Sequence, residues 1–252
     1  MEPAIFTNKD GSTGLGISVL RHANRTFDSG KGGFVPHQGI AKTTLRSHFP
    51  SIAIAPDDTI FLTWDTQPRK PKSSGGCNGD ETPKANSIKL AYTKDFGKTW
   101  SKPMTVAHPG TTVLWPWMTI GDAGKVSVVW YQYDRVTDPD CGKGKVYVYD
   151  ANIFGADGHH PKVKTVNAWG RPIHKGGICQ GGTTCVATGQ DRRLGDYFTN
   201  ALDPNGCVII ATGDTMLTDP ATGSQLPLAR PLFIKQDSGR SLTGGDCGPS
   251  RR

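Results

Sequence analysis

The sequence predicts an all-β protein assembled from a repeated antiparallel unit of four short strands. Three observations carry that expectation. The first is composition: of 252 residues, 32 are Gly and 18 are Pro, residue types that interrupt helices and serve turns. Acidic character comes from Asp, since Glu2 and Glu81 are the only glutamates, so the usual furnishing of helix surfaces is missing. The second is a hairpin pattern that occurs three times. The third is a turn built on Asp and Gly that falls between the hairpins.

The hairpins set the period of the repeat. Residues 49–64, from Phe49-Pro50 to Trp64, align at an offset of 66 with residues 115–130, from Trp115-Pro116 to Trp130. Aromatic meets aromatic, proline meets proline, and Asp58 meets Gly124. A third copy runs from Tyr197 through Pro204 and Gly206 to Thr212, at an offset of 148 from the first. Each copy is two β-rich runs separated by Asp, Asn or Gly, the signature of a β-hairpin.

The second element follows the apolar-alternating run 87–92. In Thr93-Lys94-Asp95-Phe96-Gly97-Lys98-Thr99-Trp100, Asp95 is suited to accept hydrogen bonds from turn amides and Gly97 to adopt positive φ. Trp100 then supplies a large apolar body to wedge against a neighbour. A weaker copy, Asp237-Ser238-Gly239-Arg240-Ser241-Leu242, lies 142 residues after Asp95, and a weaker one still runs from His22 to Phe27. The middle copy expected near residue 166 is missing, and the outer hairpin there is rebuilt around residues 150–155. Roughly 70 residues and four strands per unit, an inner hairpin and then an outer one, are the sequence sign of a β-propeller.

The segment from Thr93 to Trp100 resembles the Asp-box of the sialidase and BNR-repeat superfamily, and the inner hairpins resemble that family's repeating strands. The resemblance implies a sialidase-like β-propeller, with Thr93, Asp95, Gly97, Thr99, Trp100, Asp237 and Gly239 as structural Asp-box positions. It spans most of residues 15–242 but contains one intact box. Counting units gives blade remnants at about 1–44 (an outer hairpin), 45–111, 112–190 and 191–245, with a tail at 246–252. About three to three and a half blades cannot close a ring that needs at least four. The expectation is therefore a single partial propeller: a fragment of a roughly six-bladed protein, or a chain completed by a second copy.

Six cysteines, none in the Cys-x-x-Cys spacing of a zinc site, favour disulfides and an extracellular or cell-surface setting. Cys77 and Cys141 fall in breaker-rich loops after the second strand of adjacent units, which makes them the first candidate bridge. Cys179 and Cys185, bracketing Gln-Gly-Gly-Thr-Thr, are the second. The first residues of the chain, Met1 to Phe6, lack the basic and apolar regions of a signal peptide. No apolar run approaches the ~18 residues of a membrane span. The net charge of +7 comes from scattered Lys and Arg, which argues for solubility and against a nucleic-acid partner.

For chemistry, the family resemblance implies an arginine triad for a substrate carboxylate, a Tyr–Glu nucleophile pair and an Asp acid/base. That set is not complete in this chain, since neither Glu2 nor Glu81 is placed to activate a tyrosine. If the chain is active, it is a glycoside hydrolase of sialidase type. The densest polar cluster entering an inner strand is Asp191-Arg192-Arg193-Leu194-Gly195-Asp196-Tyr197. In the repeat alignment Asp196 matches His48, and Arg46 lies just before it. Arg46, His48, Arg192, Arg193, Asp196 and Tyr197 are thus the ligand-binding candidates, with a glycan as the expected ligand. The alternative is that Arg192 and Asp196 pair between units or hold the turn. Trp115 and Trp117, two apart, share a face if the strand is regular, and serve either the core or a sugar ring. No metal or other cofactor is expected. The expected function is a secreted sialidase-like propeller acting on or binding glycans; the alternative is a non-catalytic propeller for protein interaction or surface structure.

Overall fold

The computed structural model describes residues 50–66, 85–140, 142–179, 184–195, 198–224 and 226–248, together with the backbone of three strands nearer the start of the chain. Those three are β1 (Glu2–Asn8), β2 (Thr13–Ser18) and β3 (Phe34–Pro36), joined antiparallel in the order β2-β1-β3. Where the sequence suggests an outer hairpin alone, a third strand pairs on the free edge of β1.

The rest of the described chain is three antiparallel meanders. The first contains β4 (Ser51–Ile54), β5 (Ile60–Asp65), β6 (Ile88–Thr93) and β7 (Met104–Ala107), paired in chain order. The second contains β8 (Val113–Ile120), β9 (Lys125–Tyr133), β10 (Lys145–Phe154) and β11 (Lys162–Asn167), again in order. A two-residue strand, β12 (His174–Lys175), adds to β10. The third holds β13 (Thr199–Leu202), β14 (Val208–Asp214) and β15 (Arg230–Lys235). One turn of helix, α1 (Thr184–Ala187), is the only helix among the described residues. The protein is all-β, with several antiparallel sheets.

The three sheets begin with the same turn. Asp58, Gly124 and Gly206 occupy equivalent positions and all have positive φ, at 63°, 68° and 74°. The same backbone bond closes each hairpin: Ala55 N–H to Thr59 O at 2.8 Å, Gly121 N–H to Lys125 O at 3.0 Å, and Asp203 N–H to Cys207 O at 2.9 Å. Glycine takes this conformation without a Cβ penalty, and Asp is one of the few other residues that tolerates it.

Strand periodicity then builds two cores around the middle sheet. Along β9, Val126, Val128 and Trp130 face a cluster shared with Phe61, Ile88 and Leu90 of the first sheet. The alternate residues Val129, Tyr131 and Tyr133 face a cluster shared with Phe198, Val208, Ile210 and Ile234 of the third. Successive side chains of a strand point to opposite faces, so a strand apolar at nearly every position is buried on both sides. Fully burying each such side chain contributes about 1.5–3 kcal/mol. Polar bonds fix the register of sheet on sheet. Asn86 donates to and accepts from the Val113 backbone at 2.7 Å, and the Asn200 amide donates to Ser127 Oγ at 2.8 Å. Tyr131 Oη lies 2.6 Å from Thr212 Oγ1, with its ring stacked 4.4 Å from that of Phe198.

One expectation fails at β8. Trp115 has positive φ (54°), and the register shifts between Leu114 and Trp117. A bulge of this kind breaks the two-residue alternation. Trp115 is consequently 4% exposed in the core while Trp117 is 37% exposed. The two tryptophans do not form a shared platform.

Candidate functional site

The turn at 93–100 shows how its residue types work. The Thr93 hydroxyl donates to Asp95 Oδ1 at 2.7 Å and accepts from the Gly97 N–H at 3.0 Å. Asp95 in turn receives the Thr99 N–H at 2.9 Å and the Thr99 hydroxyl at 2.6 Å. These donors, the Thr99 hydroxyl foremost, hold the Asp95 carboxyl down to about 2. Gly97 sits at φ 86°. The chain then re-enters β structure with Trp100 packed against Leu62, Trp64 and Ala91. The related turn at 237–242 is wired differently. Gly239 has φ 83°, but Ser241 donates its hydroxyl to Gly244 O at 2.7 Å, and the Asp237 carboxylate receives Ser238 Oγ. Leu242, fully buried, accepts the Asp122 N–H and donates to Gly206 O, both at 2.8 Å. This segment thereby ties the hairpin turns of the second and third sheets together.

Of the ligand-binding candidates, Arg46, His48, Asp196 and Tyr197 lie outside the described residues, as do Cys77 and Cys141. The two that are described both have structural partners. Arg193 forms a fork on Asp191, with Nη2 to Oδ2 at 2.6 Å and Nε to Oδ1 at 3.1 Å. Its Nη1 donates to Leu226 O at 3.1 Å. Arg192 donates through Nη1 to Cys179 O at 3.0 Å. Burial works against ionisation of Asp191, yet its bonds to Arg193 hold its carboxyl below the ordinary range. The arginines thus secure a loop closed by the Cys179–Cys185 disulfide. A second disulfide, Cys207–Cys247, fastens the chain's last described segment to the β13–β14 hairpin. Nearby, His174 is 1% exposed, donating Nε2–H to Gly177 O at 3.0 Å, with Nδ1 2.8 Å from Thr215 Oγ1. Burial lowers its pKa, so it is a neutral structural histidine at neutral pH.

A cleft of about 470 Å³ opens elsewhere, between the second and third sheets. Its sides are β10 and β11 against β14 and β15, and residues 236–240 lie across it. Strand alternation places Asp150, Asn152 and Phe154 on the same side of β10, and all three line the cleft. Asp150 is 4% exposed and accepts the Ser127 hydroxyl at 2.6 Å. Ser127 itself accepts from Asn200, so the three form an inter-sheet relay. Burial pushes the Asp150 carboxyl up to about 7 despite the Ser127 bond. Asn152 Oδ1 and Asn200 Oδ1 are buried without a hydrogen-bond partner. At the mouth, the Arg240 guanidinium covers the Phe154 ring at 4.6 Å, and Lys164 lies beside the Gly239 turn.

No motif in the sequence singles out this cleft as a site. Residues 150–155 stand out in the repeat only as the place where a box is missing, and Asp150 and Asn152 interrupt an otherwise apolar strand. Two polar residues at alternate positions of a buried strand are the signal available. Among the described residues, no cluster of three or more His, Cys, Asp or Glu is placed to hold a metal ion, and no helix is long and apolar enough to cross a membrane. Compared with known proteins, the chain matches no family model and no curated protein.

Proposed function

We propose that the chain is an arc of an extracellular or cell-surface sialidase-like β-propeller that binds glycans without hydrolysing them. The observation that carries this reading is the middle sheet, buried on both faces by neighbours that begin with the same hairpin turn. Blades that need siblings on both flanks have this pattern. β8 touches β4 on one side and β13 on the other, as first strands around a common axis do. The Asp-box hydrogen bonds around Asp95 add local support, and the two disulfides fit an oxidising compartment.

Binding is favoured over hydrolysis by how the described arginines are spent. Arg193 is forked onto Asp191, which leaves it no second fork for a substrate carboxylate. A second reading, a propeller for protein interaction, is favoured by the outward face of the third sheet. Ala201, Ala211 and Phe233 lie exposed there, Phe233 at 64%. Either the remaining blades of a longer chain or a second copy completes the ring.

A fluorogenic sialoside assay, a glycan array and the mass in solution test these readings together. Glycan binding without turnover supports the proposal. Turnover that is abolished in Arg193→Ala or Asp196→Asn refutes the non-hydrolytic assignment. Absence of both signals leaves the interaction reading, and a stable 27 kDa monomer with no exposed apolar surface refutes ring completion.

A further inference from the structure

The cleft between the second and third sheets has the makings of a ligand site. Its volume of about 470 Å³ falls within the range of small-molecule pockets. Its floor is short of hydrogen-bond donors. Asn152 Oδ1 has no partner, and Asp150 receives the Ser127 hydroxyl. A buried acceptor left unsatisfied costs about 1–3 kcal/mol in general, so this corner gains from any ligand that brings hydroxyl hydrogens. The mouth carries both kinds of group: Lys164 and Arg240 stand there as donors, and Asp237 and Asp246 belong to the same lining as acceptors. Between floor and mouth run apolar strips from Val166, Ile210 and Ile234.

Acceptors below, donors and acceptors together above, and apolar walls between them match one chemistry. A hexose ring presents hydroxyls able to donate and accept around its rim and carries C–H faces that pack on aliphatic side chains. A simple anion would satisfy Lys164 and Arg240 but leave the Asn152 acceptor unpaired, and it would meet Asp237 and Asp246 in the same lining. A simple cation would have the opposite difficulty.

We propose that this inter-sheet cleft binds a single neutral hexose unit, whose hydroxyls meet Asp150 and Asn152 at the floor and Lys164 and Arg240 at the mouth. The assignment rests on the glycan-binding reading above and gives it a location away from the centre on which the inner strands converge.

The test is titration calorimetry with the wild-type chain against a panel of free hexoses and short neutral oligosaccharides, repeated on three variants. Val166→Trp fills the cleft from a position that is already 42% exposed, and Lys164→Ala removes a donor at the mouth without touching the core. Asn152→Leu removes the unpaired acceptor. The expected result is wild-type binding that weakens at least about tenfold in Val166→Trp and severalfold in Lys164→Ala. Should Asn152→Leu fail to fold, the two surface variants decide alone. Binding that is unchanged in both overturns this cleft as the site while leaving the glycan-binding reading standing. No binding to the panel, together with a blank glycan array, overturns both. Binding only to acidic sugars overturns the neutral-hexose assignment.

Discussion

Asp150 is an acidic group that the fold leaves only 4% exposed, and the consequence is a pH dependence of stability with a defined sign. Its carboxyl rises from the ordinary 3.8 to about 7 because burial penalises the charged form. The folded protein therefore holds this proton more tightly than the unfolded chain does. The contribution is fully present below about pH 4 and is lost as pH rises through 7. By linkage the change amounts to about 4 kcal/mol. His174 runs the other way: burial lowers its pKa, so its contribution is present above about 6.5 and is lost as pH falls below that value. Comparison with Asp150→Asn isolates the carboxyl, since the amide oxygen still accepts from Ser127 and cannot ionise. Thermal melts of both proteins from pH 4 to pH 8 are the assay. Asp150→Asn gains on wild type as pH rises, by about 4 kcal/mol across the range, or about 10 °C in Tm for a chain of this size. Two Tm curves that run parallel would refute the burial argument.

The remaining predictions concern the two kinds of staple in the fold. Asp95→Ala removes the acceptor of the Thr99 N–H and hydroxyl. Faster amide exchange at Thr99 and a red-shifted Trp100 emission are expected, with exchange in β9 unchanged; protection retained at Thr99 would show that the carboxylate does not hold this turn. The Cys207–Cys247 bridge spans 40 residues and the Cys179–Cys185 bridge 6. Loop-closure entropy assigns them about 4 and about 2 kcal/mol. Replacing the longer bridge by a serine pair should lower Tm by about 10 °C, roughly twice the effect of replacing the shorter. Melts with the order reversed would contradict that account.

The repeat was legible because it is written in local chemistry. Asp58, Gly124 and Gly206 sit at fixed offsets since one hairpin geometry needs one left-handed residue, and few residue types supply it. Thr93, Asp95, Gly97 and Thr99 could be read for the same reason, their hydrogen bonds lying within a seven-residue segment. Cys179 and Cys185 were close enough in the chain to suggest a clasp, whereas Cys207 and Cys247 are brought together only by the path through β14 and β15. Arg192 and Arg193 show the limit of a dense polar cluster. Its composition suits ligand binding or loop closure equally, and the described partners are Asp191, Cys179 and Leu226.

Sequence alone determined that this is an all-β chain of repeated antiparallel hairpins, because turn conformation and strand alternation depend on neighbours a few residues apart. Tertiary structure decided which polar residues meet across sheets. Asn200, Ser127 and Asp150 come from three strands of two sheets, and no local pattern relates them. The same holds for the bulge that separates Trp115 from Trp117 and for the cleft between β10–β11 and β14–β15. Each arises where two surfaces must fit, and that fit depends on side chains far apart in the chain.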